Sequence, residues 1–443
     1  MKMKNSARRE PICKVALAGL SICAAQVTSA ADVTIATFNS PAMLELKKLS
    51  ASFENANRDI KLNWVILEEN VLRQRATTDI TTNSGQFDVV AIGTYETPLW
   101  GKRGWLMPMT NLPLDYDLDD VVKTARDGLS YDGQLYALPF YVESSMTFYR
   151  KDLFQAAGLN MPDQPTYEQI KQFAVTLTDK AKGQYGICLR GKAGWGENMA
   201  YVSTVVNTYG GRWFDENWKA QVDTPEWHKA ISFYADLLKN EGPPGASSNG
   251  FNENLTLMSS GKCAMWIDST AAAGTLYNKS QSKVADKIGF AAAPVAVTPK
   301  GSHWLWSWSL AIPKTSKSQD AAKKFVTWAT SKQYTEMVGK DEGWGSVPPG
   351  RKSTFARPEY RQAAPFGEFV LRAIESADPN DSSLRKVPYS GIQFVGIPEF
   401  PSFGTVVGQA IAGVVAGQTS VDAALKASNA AADRAVKQAG YQK

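Results

Sequence analysis

Between Asp32 and Ile92, short apolar runs alternate with stretches of helical periodicity, and no other feature of the chain restricts its fold as much. Val33 to Thr37 reads as a strand. Ser40 then supplies an N-cap, Pro41 suits the first helical position, and Met43, Leu46, Leu49 and Phe53 recur at helical spacing. Leu62 to Leu67 is the next strand, residues around Val71 to Thr82 the next helix, and Phe87 to Ile92 a third strand. Strand, helix, strand, helix, strand at this spacing predicts a parallel sheet covered by helices.

A second series of the same kind follows Leu138 and Pro139. Thr166 with Gln169 forms a capping box, and Ile170, Phe173, Ala174 and Leu177 line one face of the helix behind it. Tyr185 to Leu189 reads as a strand, Thr224 and Pro225 open a helix with Trp227, Ile231, Tyr234 and Leu238 inward, and Lys262 to Ile267 and Ile288 to Ala292 are further strands. The expected class is therefore α/β with two lobes. No Gly/Ser-rich or Pro-rich linker separates them and no internal repeat is visible, so Leu138 to Tyr141, Ala291 to Val297 and Leu310 to Pro313 read as strands passing between lobes. The C-terminal part is helical: Phe403, Val406, Val407, Ala410, Ile411, Val414 and Val415 share a stripe, Gly417 ends that helix and Thr419 begins another.

With 44% hydrophobic, 11% aromatic and 21% charged residues among 443, the chain has material for packed cores and none of the bias of disordered, collagenous or coiled-coil proteins. Of the net charge of +5, Lys2, Lys4, Arg8, Arg9 and Lys14 against Glu10 place +4 in the first 30 residues, leaving +1 for the rest. Such a remainder gives no electrostatic reason to expect nucleic acid or an anionic membrane as partner. The basic start, the apolar stretch Val15 to Ala25 and the small residues Thr28, Ser29, Ala30 and Ala31 have the order of a cleavable secretory signal, with Ala30 or Ala31 the last residue removed. Leu20 to Cys23 and the Arg8-Arg9 pair fit a lipoprotein site or a twin-arginine signal less well, because Ile22 is bulky and Glu10 and Pro11 follow the arginines. Removing the signal leaves Cys188 and Cys263, which form one disulfide in an oxidising compartment or remain two buried thiols.

In open α/β sheets ligands bind outside the carboxyl ends of the strands. Those positions are Asn39 and Ser40, then Glu68, Glu69 and Asn70, then Thr94, Tyr95 and Glu96 in the first series. In the second they are Arg190 with the loop through Trp195 and Asn198, and Asp268 with Ser269 and Thr270. Amides, hydroxyls, carboxylates and an arginine suit a neutral polyhydroxylated ligand, whose hydroxyls both donate and accept, while aromatic faces cover its C–H side. Trp304, Trp306 and Trp308 share one face if extended, as a core stripe or a ligand platform. Trp195 and Trp344 each stand between two glycines, in loops where an uncrowded indole is free to meet a ligand.

Enzyme readings find less support. Of the two histidines, His228 lies on the outward face of its helix and His303 has no nucleophile motif around it; P-loop, Gly-x-Ser-x-Gly, His-Glu-x-x-His and Cys-x-x-Cys motifs are missing. Asp115, Asp117, Asp119 and Asp120 lack the glycine and final glutamate of a calcium loop and read as an acidic helix start. No cofactor or metal is expected. The competing class is an exported glycosidase with carboxylates drawn from Glu68, Glu69, Glu143 and Asp268.

At these loops the chain resembles the extracellular solute-binding proteins of sugar ABC importers. The general marks are Asp132-Gly133-Gln134-Leu135-Tyr136-Ala137-Leu138-Pro139-Phe140, then Tyr149-Arg150-Lys151-Asp152-Leu153-Phe154, and Gly158-Leu159 ahead of Pro165-Thr166. Gly93-Thr94-Tyr95-Glu96, Gly186 to Gly191, Gly194 to Asn198, Met265-Trp266-Ile267-Asp268 and Trp306-Ser307-Trp308 look like the branch that binds mannitol, sorbitol and related alditols. The resemblance covers the whole chain from Asp32. It implies a maltose-binding-like (type II) clamp with three crossovers, a periplasmic monomer without catalysis that encloses a polyol or monosaccharide and delivers it to permease subunits. The lobes would be residues 31–140 with 295–345, and 141–294 with 346–443, which sets Tyr141 and Glu143 beside the cleft.

Overall fold

The computed structural model describes residues 30–347 and 349–442, so the expected signal segment lies outside the described residues apart from its last position. Strands β1 (Ala31–Phe38), β2 (Ile60–Leu67) and β3 (Val89–Ile92) pair in parallel in the order β2-β1-β3, with β1 and β2 in register from Ala31↔Ile60 to Phe38↔Leu67. Of the helices between them, the first starts where the sequence predicts, and the second starts at Glu69, two residues before the expected Val71. Ser40 caps Pro41–Ala56 by accepting the Met43 N–H at 3.3 Å, and Met43, Leu46 and Phe53 on that helix are buried. Glu68 caps Glu69–Thr81 by accepting the Val71 N–H at 3.3 Å. The short β4 (Ser130–Tyr131) and β5 (Gln134–Leu135) form a separate hairpin.

Strand β6 (Ala137–Glu143) closes the five-stranded sheet, and the chain changes sheet across one residue, the fully buried Ser144, into β7 (Ser145–Arg150). Thr270 holds that junction: its N–H donates to Ser144 O at 2.8 Å and its hydroxyl accepts the Ser144 N–H at 3.1 Å. The second sheet has order β8-β7-β9 and is antiparallel, with β8 spanning Met265–Ser269 and β9 Ile288–Ala292. The chain returns through an irregular segment to β10 (Trp306–Ala311), which inserts antiparallel between β3 and β6. It passes a third time near Pro349 and Gly350, whose carbonyls accept the Val142 and Val122 N–H groups at 2.9 and 3.2 Å.

Several expectations need correction. Tyr185 to Leu189 is not a strand but makes isolated parallel bridges, Tyr185 with Cys263 and Cys188 with Trp266. Its backbone is claimed elsewhere: the Gly186 N–H donates to Thr178 Oγ1 and the Ile187 N–H to Glu241 O. The strand expected over Ala291 to Val297 stops at Ala292, that over Lys262 to Ile267 starts at Met265, and that over Leu310 to Pro313 stops at Ala311. Phe400–Val415 is a helix ended at Gly417, which has a left-handed φ of 73°, but Val406 faces solvent and the next helix, Val421–Gln438, is capped by Ser420 rather than begun by Thr419. Cys188 and Cys263 are joined as a disulfide with Cα atoms 5.9 Å apart, within the reach a bridge requires.

Candidate binding site

The strand ends of the two sheets face each other across a cavity of about 600 Å³. Its first wall comes from Phe38, Asn39 and Ser40 after β1, Glu68 and Glu69 after β2, and Trp306 and Trp308 on β10. Tyr141 and Glu143 on β6 form its floor, and Arg190, Lys192, Trp195 and Glu197 form the opposing wall.

Arg73, one helical turn beyond Glu69, is the centre of the aromatic wall. Its guanidinium carbon lies 4.2, 4.9 and 5.0 Å from the ring centroids of Trp195, Trp308 and Trp306. Nη2 and Nε donate to Glu69 Oε1 at 2.9 and 3.1 Å, and Nη1 donates to Glu96. Burial opposes its charge, but Glu96 and Glu69 outweigh that and raise its pKa. Trp306 can lie where it does because residue 93 is glycine: a Cβ on Gly93 would stand 2.0 Å from the indole.

Across the cavity, Arg190 holds Asp268 with Nε and Nη2 and donates Nη1 to Gly196 O at 3.1 Å. Asp268 also accepts from Trp266 Nε1 at 3.1 Å and the Ser269 N–H at 2.6 Å, so its acceptor capacity is filled by the protein. Glu143, 6% exposed, accepts the Ser269 hydroxyl at 2.6 Å; burial pushes its carboxyl up to about 8, with Asp268 and Glu69 adding to the rise and Arg190 opposing it. Burial, then Glu69, pushes Glu197 up to about 7. Besides the packing of Arg73 on Trp195, two hydrogen bonds bridge the walls: Lys192 Nζ donates to Glu68 at 2.6 Å while lying 3.5 Å from Glu197, and Asn252 Nδ2 donates to Asn39 O at 3.0 Å. Three buried polar atoms of cavity residues have no hydrogen-bond partner among the described residues: Trp304 Nε1, Gln393 Oε1 and Glu197 Oε2.

Of the residues singled out from sequence, Asn39, Ser40, Glu68, Tyr141, Glu143, Arg190, Trp195, Trp306 and Trp308 line the cavity. Three others sit behind it. Asp268 holds Arg190; Tyr95 packs 4.7 Å from Trp195 and donates to Ile397 O; and Asn198 donates to Gly408 O while accepting the Gly194 N–H. Thr94 turns away toward Gly128, because the chain bends into the Glu96–Lys102 helix directly after β3. Trp344 is also outside: it packs on Gly339 with the Arg357 guanidinium 4.0 Å above its ring. Sequence reasoning missed Arg73, Lys192 and Gln393. Extending the search one helical turn past each strand end finds Arg73, Lys192 lies within the loop already marked, and Gln393 has no local signal.

A family model described as bacterial extracellular solute-binding protein matches residues 32–336. The chain belongs to that family. A mannitol-binding protein of Pseudomonas aeruginosa is 55% identical to this solute-binding protein over 414 residues, 94% of this chain and 95% of the relative. An ABC transporter solute-binding protein of Agrobacterium vitis S4, solved with bound D-mannitol, matches with a TM-score of 0.92 at 54% identity, covering 93% of this chain and 100% of that one. A solute-binding protein of Agrobacterium radiobacter K84 in complex with ribitol matches with a TM-score of 0.80 at 27% identity, covering 92% and 99%. The fold of this solute-binding protein is thus the two-lobe, maltose-binding-like clamp.

Proposed function

We propose that this protein is the periplasmic substrate-binding component of an ABC importer and encloses a mannitol-class alditol between its lobes for delivery to a membrane permease. The observation that carries the reading is the cavity itself: Glu68, Trp306 and Trp308 on one wall face Arg190 and Trp195 on the other, over a floor of Tyr141 and Glu143, with Arg73 packed among the three indoles. Trp304 and Gln393 line it, and their buried Nε1 and Oε1 are a donor and an acceptor without a partner among the described residues. A polyol hydroxyl satisfies both kinds of group, and the indoles cover the carbon chain. The relatives bound to mannitol and ribitol support an open-chain polyol as the ligand class.

In this reading Tyr141, Glu143, Arg190, Glu68, Asn39 and Ser40 bond ligand hydroxyls, and Trp195, Trp306 and Trp308 cover the ligand. Asp268, Tyr95 and Asn198 act by positioning these groups. The lobes are residues 31–140 with 295–345 and 141–294 with 346–443, joined by three crossovers, and ligand bridging the half-sites stabilises the closed clamp. The protein is a monomer without catalytic activity, exported with cleavage after Ala30 or Ala31. Asp268, saturated by Arg190, Trp266 and Ser269, is poorly placed to serve as a glycosidase acid or base.

The test is thermal unfolding of the mature protein against mannitol, sorbitol, ribitol and monosaccharides. Ligand at 100 times its Kd stabilises the fold by about 2.7 kcal/mol. A rise with alditols and none with aldoses is expected; no rise with any alditol, or hydrolysis of a chromogenic glycoside, overturns the reading. Mass spectrometry of the exported protein should find Ala31 or Asp32 at its N-terminus.

A further inference from the structure

The charges around the cavity are unequal, and the inequality has a pattern. Three cations line it, and each is already held by carboxylates of the protein. Arg73 is bound by Glu69 and Glu96, Arg190 by Asp268, and Lys192 by Glu68 with Glu197 nearby. Glu143 stands outside this pairing. It lies at the floor of the cavity, buried, with no ion-pair partner among the described residues, and its one protein donor is the Ser269 hydroxyl at Oε2. Because Ser269 accepts the Ala271 N–H, its own proton is committed to Glu143, and the other carboxyl oxygen is left for a ligand.

We infer that the cleft also accepts cationic amino alditols, polyols in which an ammonium replaces one hydroxyl, with Glu143 as the group that receives the ammonium, and that it rejects aldonates and alditol phosphates. This rests on the proposed alditol site and refines its specificity. A neutral alditol meets Glu143 as a hydroxyl partner. An ammonium supplies the counter-charge that none of the described residues provides, and its binding releases the proton that burial keeps on the carboxyl of the ligand-free site. The resulting hydrogen bond joins two charged groups in a desolvated site and is stronger than one between neutral groups. An anionic ligand meets the reverse situation: no uncommitted cation, and carboxylates on both walls, so a second like charge would be buried unpaired.

The groups facing Glu143 are Arg190, Asp268, Glu69 and the Tyr141 phenol, together with the Ser269 hydroxyl. Arg190 opposes an ammonium there, but Asp268 neutralises it through both ends of its fork. The local balance thus still favours a cation.

Calorimetry at constant pH with D-mannitol, 1-amino-1-deoxy-D-mannitol and D-mannonate tests the inference on the mature protein. Wild type should bind the amino alditol at least as tightly as mannitol and bind mannonate about a hundredfold more weakly. In Glu143→Gln the ratio of amino alditol to mannitol affinity should fall about tenfold or more, since a charged hydrogen bond becomes a neutral one. The ratio is the readout, so a general loss of binding does not imitate it. Weaker binding of the amino alditol than of mannitol by tenfold in wild type, or a ratio unchanged in Glu143→Gln, overturns the inference. Failure of mannitol alone with the amino alditol still bound overturns the neutral-alditol reading and leaves this one standing; failure of both ligands overturns both.

Discussion

Arg190 and Asp268 meet fork to fork, Nη2 2.7 Å from Oδ1 and Nε 2.9 Å from Oδ2, with the carboxylate fully shut off from solvent. The pair joins the loop that carries Trp195 and Glu197 to the end of β8, and it leaves only part of the arginine facing the cavity. Ligand binding and local folding therefore depend on the same contact.

Asp268→Asn should weaken both. The amide keeps the shape but leaves Arg190 buried without its counter-charge, and breaking a buried pair in this way costs about 3 to 5 kcal/mol. Denaturant unfolding without ligand should show much of that loss, and calorimetry should show weaker mannitol binding. Full stability with weakened binding would place Asp268 in direct contact with ligand, contrary to the geometry.

Arg73→Lys separates charge from shape. Lysine keeps the positive charge but has no planar fork for Glu69 and Glu96 and no flat face for three indoles. A loss of about 1 to 3 kcal/mol in alditol binding is expected from the lost cation–π and forked contacts. Calorimetry with mannitol measures it, and affinity equal to wild type would show that charge alone matters at this position.

What could be read from the sequence follows the range of the interactions involved. Ser40 caps its helix and lines the cavity because strand period, cap and proline all lie within a few residues. The same reasoning fails at Thr94, where the helix after β3 begins at Glu96 and turns the side chain away. Trp344 misleads for a different reason: its glycine neighbours mark a loop, but they do not say which surface that loop meets, and here it meets Gly339 and Arg357. Arg73 is hidden because its role comes from tryptophans at positions 195, 306 and 308, brought to it only by the folded sheet. Gln393 enters the cavity on an irregular segment whose course is set by long-range packing, with its Nε2 donating to Leu305 O.

The Cys188–Cys263 bridge ties the segment leading to Arg190 to the strand leading to Asp268, across 75 residues of sequence. A loop of that size makes the bridge worth about 2 to 4 kcal/mol through restriction of the unfolded chain. Cys188→Ala with Cys263→Ala should unfold at correspondingly lower denaturant concentration. Thiol labelling of denatured, unreduced periplasmic protein should find none free; two titratable thiols would refute the bridge in the exported protein.

Glu143 gives the ligand-free protein a pH dependence of definite sign. Its carboxyl has an ordinary value of 4.5 and burial raises it to about 8 in the fold. Below pH 4.5 the folded and unfolded chains both carry the proton, and the group's full contribution to stability is present. As pH rises toward 8 the unfolded chain gives up that proton while the folded one retains it, so stability falls across the window and the contribution is gone once the folded group ionises. Glu197, raised to about 7, acts in the same direction over a narrower range. The total from Glu143 is on the order of a few kcal/mol. Denaturant unfolding of wild type and Glu143→Gln from pH 5 to pH 8 measures it: the glutamine variant cannot titrate at this position, so it should gain on wild type steadily as pH rises. Parallel curves would show that the carboxyl is already ionised in the fold, paired in a way the described residues do not provide.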